Sequence, residues 1–182
     1  PIFTPEIIQR YHTASAAEIL DPHVYGLANS TYVNMLRDGE DQSVVISGES
    51  GAGKTEETKM CLEFLAAVAS DKRAGSRPEQ LLLKSSPILE AMGNAKTIRN
   101  NNSSRFGKYM QIRFNRSGKI MGGSIIKYLL EKGRVVRPAT GERNYHIFYL
   151  MNFLTKQERA ALSYSKSEKF RFCNAGGVTT VD

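Results

Sequence analysis

The residues best suited to chemistry stand at 48–55, where Gly48-Glu49-Ser50-Gly51-Ala52-Gly53-Lys54-Thr55 fills the pattern G-x-x-x-x-G-K-[ST] completely. Each residue type in that spacing has a physical role. Glycines at 48, 51 and 53 admit backbone conformations that a Cβ disfavours, so successive N–H groups can turn inward toward phosphate oxygens. A helix beginning near Lys54 would add its positive dipole end, and the Lys54 ammonium would reach the β- and γ-phosphates as a flexible point charge. The Thr55 hydroxyl is suited to Mg²⁺. A glycine-rich turn that binds nothing is the competing reading, and the complete motif weighs against it because it falls between a predicted strand and a predicted helix.

The loop names a ligand class, a nucleoside triphosphate with Mg²⁺, but not a reaction, because kinases, GTPases, ATPases and motors all use it. A second constellation narrows the choice. Asn94 to Lys108 read NAKTIRNNNSSRFGK, a dense run of small polar side chains bracketed by Arg99 and Arg105. Such a run is compatible with a solvated loop, since Asn and Ser are turn formers. It also supplies what phosphoryl transfer to water needs near the γ-phosphate, namely hydroxyls, amides and a second oxygen ligand for the metal. Ser103, Ser104 and the asparagines at 100, 101 and 102 are of the right types.

Regular elements must hold these residues in place. Pro5 to Tyr11 predict a short helix, and a second follows Asp21-Pro22, where Val24, Ala28, Tyr32 and Met35 recur at helical spacing ahead of Gly39. Ser43 to Ser47 have the β-branched composition of a buried strand leading into the phosphate loop, and the helix after the loop is expected to run to about Ala69. Ser70 to Pro78 read as a surface loop, and a helix from Glu79 toward Met92 should be kinked or interrupted by Pro87. Lys108 to Asn115 and Lys119 to Tyr128 predict a hairpin turning at Arg116-Ser117-Gly118, with a break at Gly122-Gly123. Tyr145 to Phe153 are helical in composition, and Thr155 with Glu158 has capping-box spacing. The expected class is α/β: a P-loop NTPase with a mixed central sheet flanked by helices.

Composition is consistent with that class. The chain has 182 residues, 41% hydrophobic and 24% charged, which excludes disordered and collagen-like classes. A formal charge of +7 favours anionic partners without naming one: nucleotide, acidic protein surfaces and nucleic acid all remain open. Cys61 and Cys173 lack paired spacing and read as free thiols of a reducing compartment. No apolar run approaches the ~20 residues of a membrane span, and the first residues lack a signal-peptide profile, so a cytoplasmic location is expected. The absence of an initial Met and the abrupt end at NAGGVTTVD suggest a piece of a larger protein.

GESGAGKTE together with NAKTIRNNNSSRFGK resembles the myosin motor head, the second stretch looking like its switch I loop. Kinesins share an Asn-x-x-Ser-Ser-Arg core, but there Ser-His follows the Arg, whereas Phe106-Gly107-Lys108 follows here. PHVYGLANSTYVNML, PILEAMGNAKT, YLLEKGRVV and ERNYHIFYLM extend the resemblance along nearly the whole chain in the family's order. The resemblance implies the nucleotide-binding N-terminal part of an actin-based motor that hydrolyses Mg-ATP. Light chains or calmodulin would be partners of the parent protein, nucleic acid would not, and the location would be cytoskeletal. It also implies residue roles. Residues 48–55 would cradle the phosphates, with Thr55 and Ser104 on Mg²⁺. Ser103 would bridge attacking water and γ-phosphate, Asn100 and Asn102 would bond phosphate oxygens, and Arg105 would pair with a switch II glutamate. Glu131, Arg134, Arg143 and Tyr145 are expected to hold the fold, and Lys59 and Arg99 to be solvated or structural charges.

The sequence departs from the family in two places. Phe3 stands where a purine-loop Tyr is usual, which keeps a stacking face and removes a phenolic hydrogen bond. No D-x-x-G-F-E stretch, the switch II signature, occurs in the 182 residues, so this chain alone is expected to be catalytically inactive. Two other readings stay open: a P-loop phosphotransferase and a nucleotide-binding module without turnover.

Overall fold

The computed structural model describes residues 3–14, 18–70 and 78–180. It divides into two compact units, one formed by Pro1–Lys84 with Gln111–Ser124, the other by Ser85–Met110 with Ile125–Asp182.

The first unit is built on three helices and the tip of a hairpin. Helix α1, Pro5–Thr13, starts where the Thr4 hydroxyl accepts the Ile7 N–H and Pro5 pre-sets the first turn. Helix α2, Val24–Asp38, is capped by His23 Nδ1, which accepts the Tyr25 N–H at 3.0 Å, and closes on Gly39 in the left-handed conformation. Helix α3, Lys54–Ala69, follows the phosphate loop directly. Their inward faces meet at Tyr25, Ala28 and Phe64, with Ile7, Ile8, Tyr11 and Met60 packed around them. A second cluster of Tyr32, Ala69 and Ile120 shares Leu65 and Val68 with the first; Ile120 comes from hairpin strand β4, Ile120–Tyr128, and Ile112 and Phe114 from β3, Gly107–Phe114. The hairpin turn is set by Asn115, whose side-chain oxygen accepts the N–H groups of Ser117 and Lys119 at 3.0 and 2.8 Å. Tyr32 donates its hydroxyl to Gly118 O at 2.9 Å, tying α2 to that turn.

The second unit has a polar core. Helix α4, Pro78–Gly93, runs into it and leads to strand β1, Asn94–Ala95, which pairs antiparallel with β2, Ser103–Ser104. Short helices follow: α5 at Gly133–Val136, α6 at His146–Leu150 with a 3-10 turn at Met151–Phe153, α7 at Lys156–Ala161 and α8 at Arg171–Asn174. Asn144 is fully buried and fully used. Its Nδ2 donates to Val135 O and Phe172 O, its Oδ1 accepts the Tyr145 N–H, and its own N–H goes to the Tyr149 hydroxyl. Tyr149 donates its hydroxyl to Cys173 O at 2.7 Å. One residue thus satisfies the backbone of three segments, as buried polar groups must be satisfied.

Several expectations hold: α1, α2, α3, the hairpin, and the capping box in which Thr155 and Glu158 bond reciprocally. Cys61 and Cys173 are free thiols, and burial pushes Cys173 up to about 11. Others need correction. Ser43 to Ser47 form no strand; Val45 is 88% exposed, because an extended segment becomes a strand only against a hydrogen-bonded neighbour and none lies beside it among the described residues. The mixed central sheet is likewise absent among the described residues, whose sheets are two pairs of strands. Pro87 does not interrupt α4, which is continuous across it: one lost backbone hydrogen bond is tolerated when the turns on both sides are intact. Nor do Gly122 and Gly123 break β4. A Cβ on Gly123 would sit 2.6 Å from Gln111 O, so that glycine permits close backbone approach rather than ending the strand. Of the expected 70–78 loop, residues 71–77 lie outside the described residues, and Pro78 opens α4.

Candidate functional site

The phosphate loop takes the conformation its glycines allow. Gly48, Gly51 and Gly53 have φ of 152°, 87° and 93°, and Gly53 is the N-cap of α3 without any side-chain cap. The sixteen-residue helix therefore presents its first-turn backbone donors at a loop built from glycine, the arrangement that receives an anion. Open space lies beside it, since a Cβ at Gly53 would meet nothing within 4 Å. Lys54 Nζ donates to Gly48 O at 2.6 Å and Glu49 O at 2.7 Å, which keeps the ammonium folded over the loop. Glu49, Ser50 and Ala52 are exposed and Thr55 is half-buried. Lys59 bonds Glu56 at 2.9 Å. Phe3 lies 5.3 Å from the His23 ring and 5.7 Å from Tyr25, so this aromatic packs on the entry to α2.

Residues 94–105 belong to the second unit, and their geometry is set by Asn102. Its Nδ2 donates to Glu90 Oε2 at 3.0 Å, and its Oδ1 accepts Asn94 Nδ2 at 2.9 Å and faces His146 Nε2 at 3.1 Å. Asn100 supports the turn from inside: its Oδ1 accepts the Asn102 N–H at 2.9 Å, and its backbone exchanges hydrogen bonds with Thr97. Ser103 is buried at 3% exposure and accepts Arg105 Nη1 at 3.1 Å, whereas Ser104 is exposed on the same two-residue strand. Arg99 is exposed.

Arg105 is paired. Its Nε donates to Glu131 Oε2 at 2.7 Å, and Glu131 also receives Arg134 Nε at 2.8 Å. Arg134, 5% exposed, reaches on to Glu142 Oε2 at 2.8 Å and to Arg143 O. Burial works to raise the Glu131 pKa, but the two guanidinium groups of Arg134 and Arg105 outweigh it and leave the carboxyl below its usual range. Tyr145 donates its hydroxyl to Glu131 O at 2.7 Å and pairs with Ala95 by a β-bridge. The fold-holding roles expected of Glu131, Arg134, Arg143 and Tyr145 match these contacts. Sequence reasoning missed Glu90, Asn94 and His146. They lie in stretches quoted for the family resemblance but stand 12, 8 and 44 positions from Asn102, so their hydrogen bonds to it emerge only on folding.

Among the described residues no helix is long and apolar enough to cross a membrane, and no cluster of His, Cys, Asp or Glu is arranged to hold a metal. Hydroxyl oxygens such as those of Thr55 and Ser104 fit Mg²⁺, a hard cation that keeps several waters and takes few protein ligands.

The family model described as Myosin head (motor domain) matches residues 1–182. Myosin-I heavy chain of Dictyostelium discoideum is 45% identical over 183 residues, which cover 100% of this chain and 8% of that protein. Unconventional myosin-VIIb of Mus musculus is 50% identical over 181 residues, 99% of this chain and 8% of its own length. Myosin ID heavy chain of Dictyostelium discoideum is 49% identical over 164 residues, 90% of this chain and 15% of its own. The chain thus spans between 8% and 15% of these relatives. With the match running from the first residue to the last, the chain belongs to the Myosin head (motor domain) family.

Proposed function

We propose that this chain is the nucleotide-binding part of an actin-based motor that couples Mg-ATP hydrolysis to force on actin filaments. The observation that supports the motor reading is the Myosin head (motor domain) match over residues 1–182, and the complete phosphate loop, with three positive-φ glycines opening onto a sixteen-residue helix, supports its nucleotide-binding half. Within it the backbone N–H groups of 48–55 receive phosphate oxygens, Lys54 supplies the mobile positive charge, and Thr55 offers a hydroxyl to Mg²⁺. By the family resemblance, Ser104 would offer another hydroxyl to Mg²⁺, Ser103 would orient water, Asn100 and Asn102 would bond phosphate oxygens, and Arg105 would carry the charge that closure uses. Phe3 supplies an aromatic face for adenine. Mg²⁺, held by Thr55 and Ser104 as the resemblance implies, would supply charge neutralisation at the phosphates.

Binding and turnover are separable. Hydrolysis depends on positioning and preorganised charge around the γ-phosphate, and the 182 residues contain no D-x-x-G-F-E stretch to complete it. The isolated chain is therefore expected to bind nucleotide weakly and to show no actin-activated ATPase. Titration of a fluorescent ATP analogue into the full-length protein, with and without Mg²⁺, tests the binding half of the reading. Saturable, Mg²⁺-dependent binding is expected, and the absence of any binding would overturn it.

A further inference from the structure

We infer that His146 is a positioning residue that locks the 100–105 loop in place only while its imidazole is neutral with the proton on Nε2, which makes the order of that loop pH-dependent. The assignment comes from geometry. His146 Nδ1 lies 3.1 Å from Arg143 Nη2, and a guanidinium can only donate, so Nδ1 must be the unprotonated acceptor. The ring proton then sits on Nε2 and is donated to Asn102 Oδ1 at 3.1 Å. Arg143 cannot simply turn away. It is 3% exposed, with its guanidinium 5.1 Å above the Tyr149 ring and Nη1 donating to Thr180 O.

Asn102 is where this lock acts. The same amide oxygen accepts from buried Asn94 on β1, and the amide nitrogen donates to Glu90 on α4, so one side chain fixes β1, α4 and α6 against the loop. A cavity of about 370 Å³, lined by Glu90, Asn101, Asn102, Arg143 and His146, gives solvent a route to the imidazole. Two charged groups face it from neighbouring elements: Arg143, which disfavours a second positive charge, and Glu90, which favours one. Burial together with Arg143 prevails and holds the His146 pKa below its ordinary value. On protonation Nδ1–H would confront the Arg143 donors, the ring would be displaced, and Asn102 would lose one of its three side-chain partners. The depressed folded pKa means this support is full above about 6.5 and disappears as pH falls through the lower folded value.

The functional consequence rests on the reading that 100–105 faces nucleotide phosphates, so the test carries a readout that needs no nucleotide. Hydrogen exchange in the full-length protein, corrected for intrinsic rates, is followed at the amides of Asn100, Asn102 and Arg105 from about pH 7.5 down to about 4.5. In the wild type, exchange should rise by roughly tenfold at the acid end. His146→Gln, which keeps a donor and an acceptor but cannot titrate, should abolish that dependence, and His146→Ala should expose the loop at every pH. Release of a fluorescent ATP analogue should follow the same pattern. Equal pH dependence in wild type and His146→Gln, or wild-type protection in His146→Ala, would overturn the inference. Failure of the wild type to bind nucleotide with the exchange pattern intact would instead overturn the functional reading alone.

Discussion

Arg105 and Glu131 are bonded twice: Arg105 Nε donates to Glu131 Oε2 at 2.7 Å, and the Glu131 N–H donates to Arg105 O at 3.0 Å. The arginine that the family resemblance assigns to a distant glutamate thus has a carboxylate partner within its own unit. Any closure that uses Arg105 must first compete with Glu131, so this pair sets how readily the guanidinium is released.

Removing that carboxylate should be felt in stability and in its acid limb. Glu131→Gln loses charge-assisted bonds to Arg105 and to buried Arg134, while Arg134 keeps Glu142. The expected loss is about 1 to 2 kcal/mol, discounted because Glu131 is partly exposed. Its lowered pKa places the stabilisation fully above the ordinary carboxylate value of 4.5, to be lost as pH falls through the lower folded value. Urea unfolding from neutral pH downward should show a steeper loss in wild type than in Glu131→Gln. Parallel acid limbs would contradict the assignment.

The two adjacent serines should differ in their effect on stability. Ser103 is buried and holds Arg105, so Ser103→Ala should cost about 1 kcal/mol of stability in addition to any loss of turnover. Ser104 is exposed, and Ser104→Ala should change stability by less than about 0.5 kcal/mol while impairing Mg²⁺-dependent turnover more than nucleotide docking. Normal turnover of Ser104→Ala across a Mg²⁺ series would remove it from the site.

Within the hairpin, Gly123→Ala should destabilise by about 1 to 3 kcal/mol, because the new methyl meets the Gln111 carbonyl at 2.6 Å and the Leu82 side chain at 3.0 Å. Thermal unfolding checks this. Unchanged stability would mean that β3 and β4 can move apart at no cost.

What the sequence revealed and what it concealed follow from the range of the interactions. The Gly39 end of α2, the turn at Arg116-Ser117-Gly118 and the Thr155 cap are local, made by residues within a few positions of one another, so the sequence announces them. The phosphate loop is legible for the same reason: loop, cap and helix are consecutive. Ser43 to Ser47 have the composition of a strand, but pairing is a non-local property and no described residue pairs with them. Asn102 was legible as a polar loop residue, whereas its anchors Glu90 and His146 come from two different helices.

Lys54 gives the most direct test of the central claim, that Mg-ATP bound at the phosphate loop drives an actin-dependent motor. Lys54→Ala removes a charge-assisted phosphate contact worth roughly 1.5 to 3 kcal/mol, about ten- to hundred-fold in affinity, and leaves the body of α3 intact. The measurement is ATP hydrolysis by the full-length protein with and without filamentous actin, in wild type and Lys54→Ala. The account predicts turnover accelerated by actin in the wild type and lost in the variant. Hydrolysis indifferent to actin, or undiminished in Lys54→Ala, would contradict it.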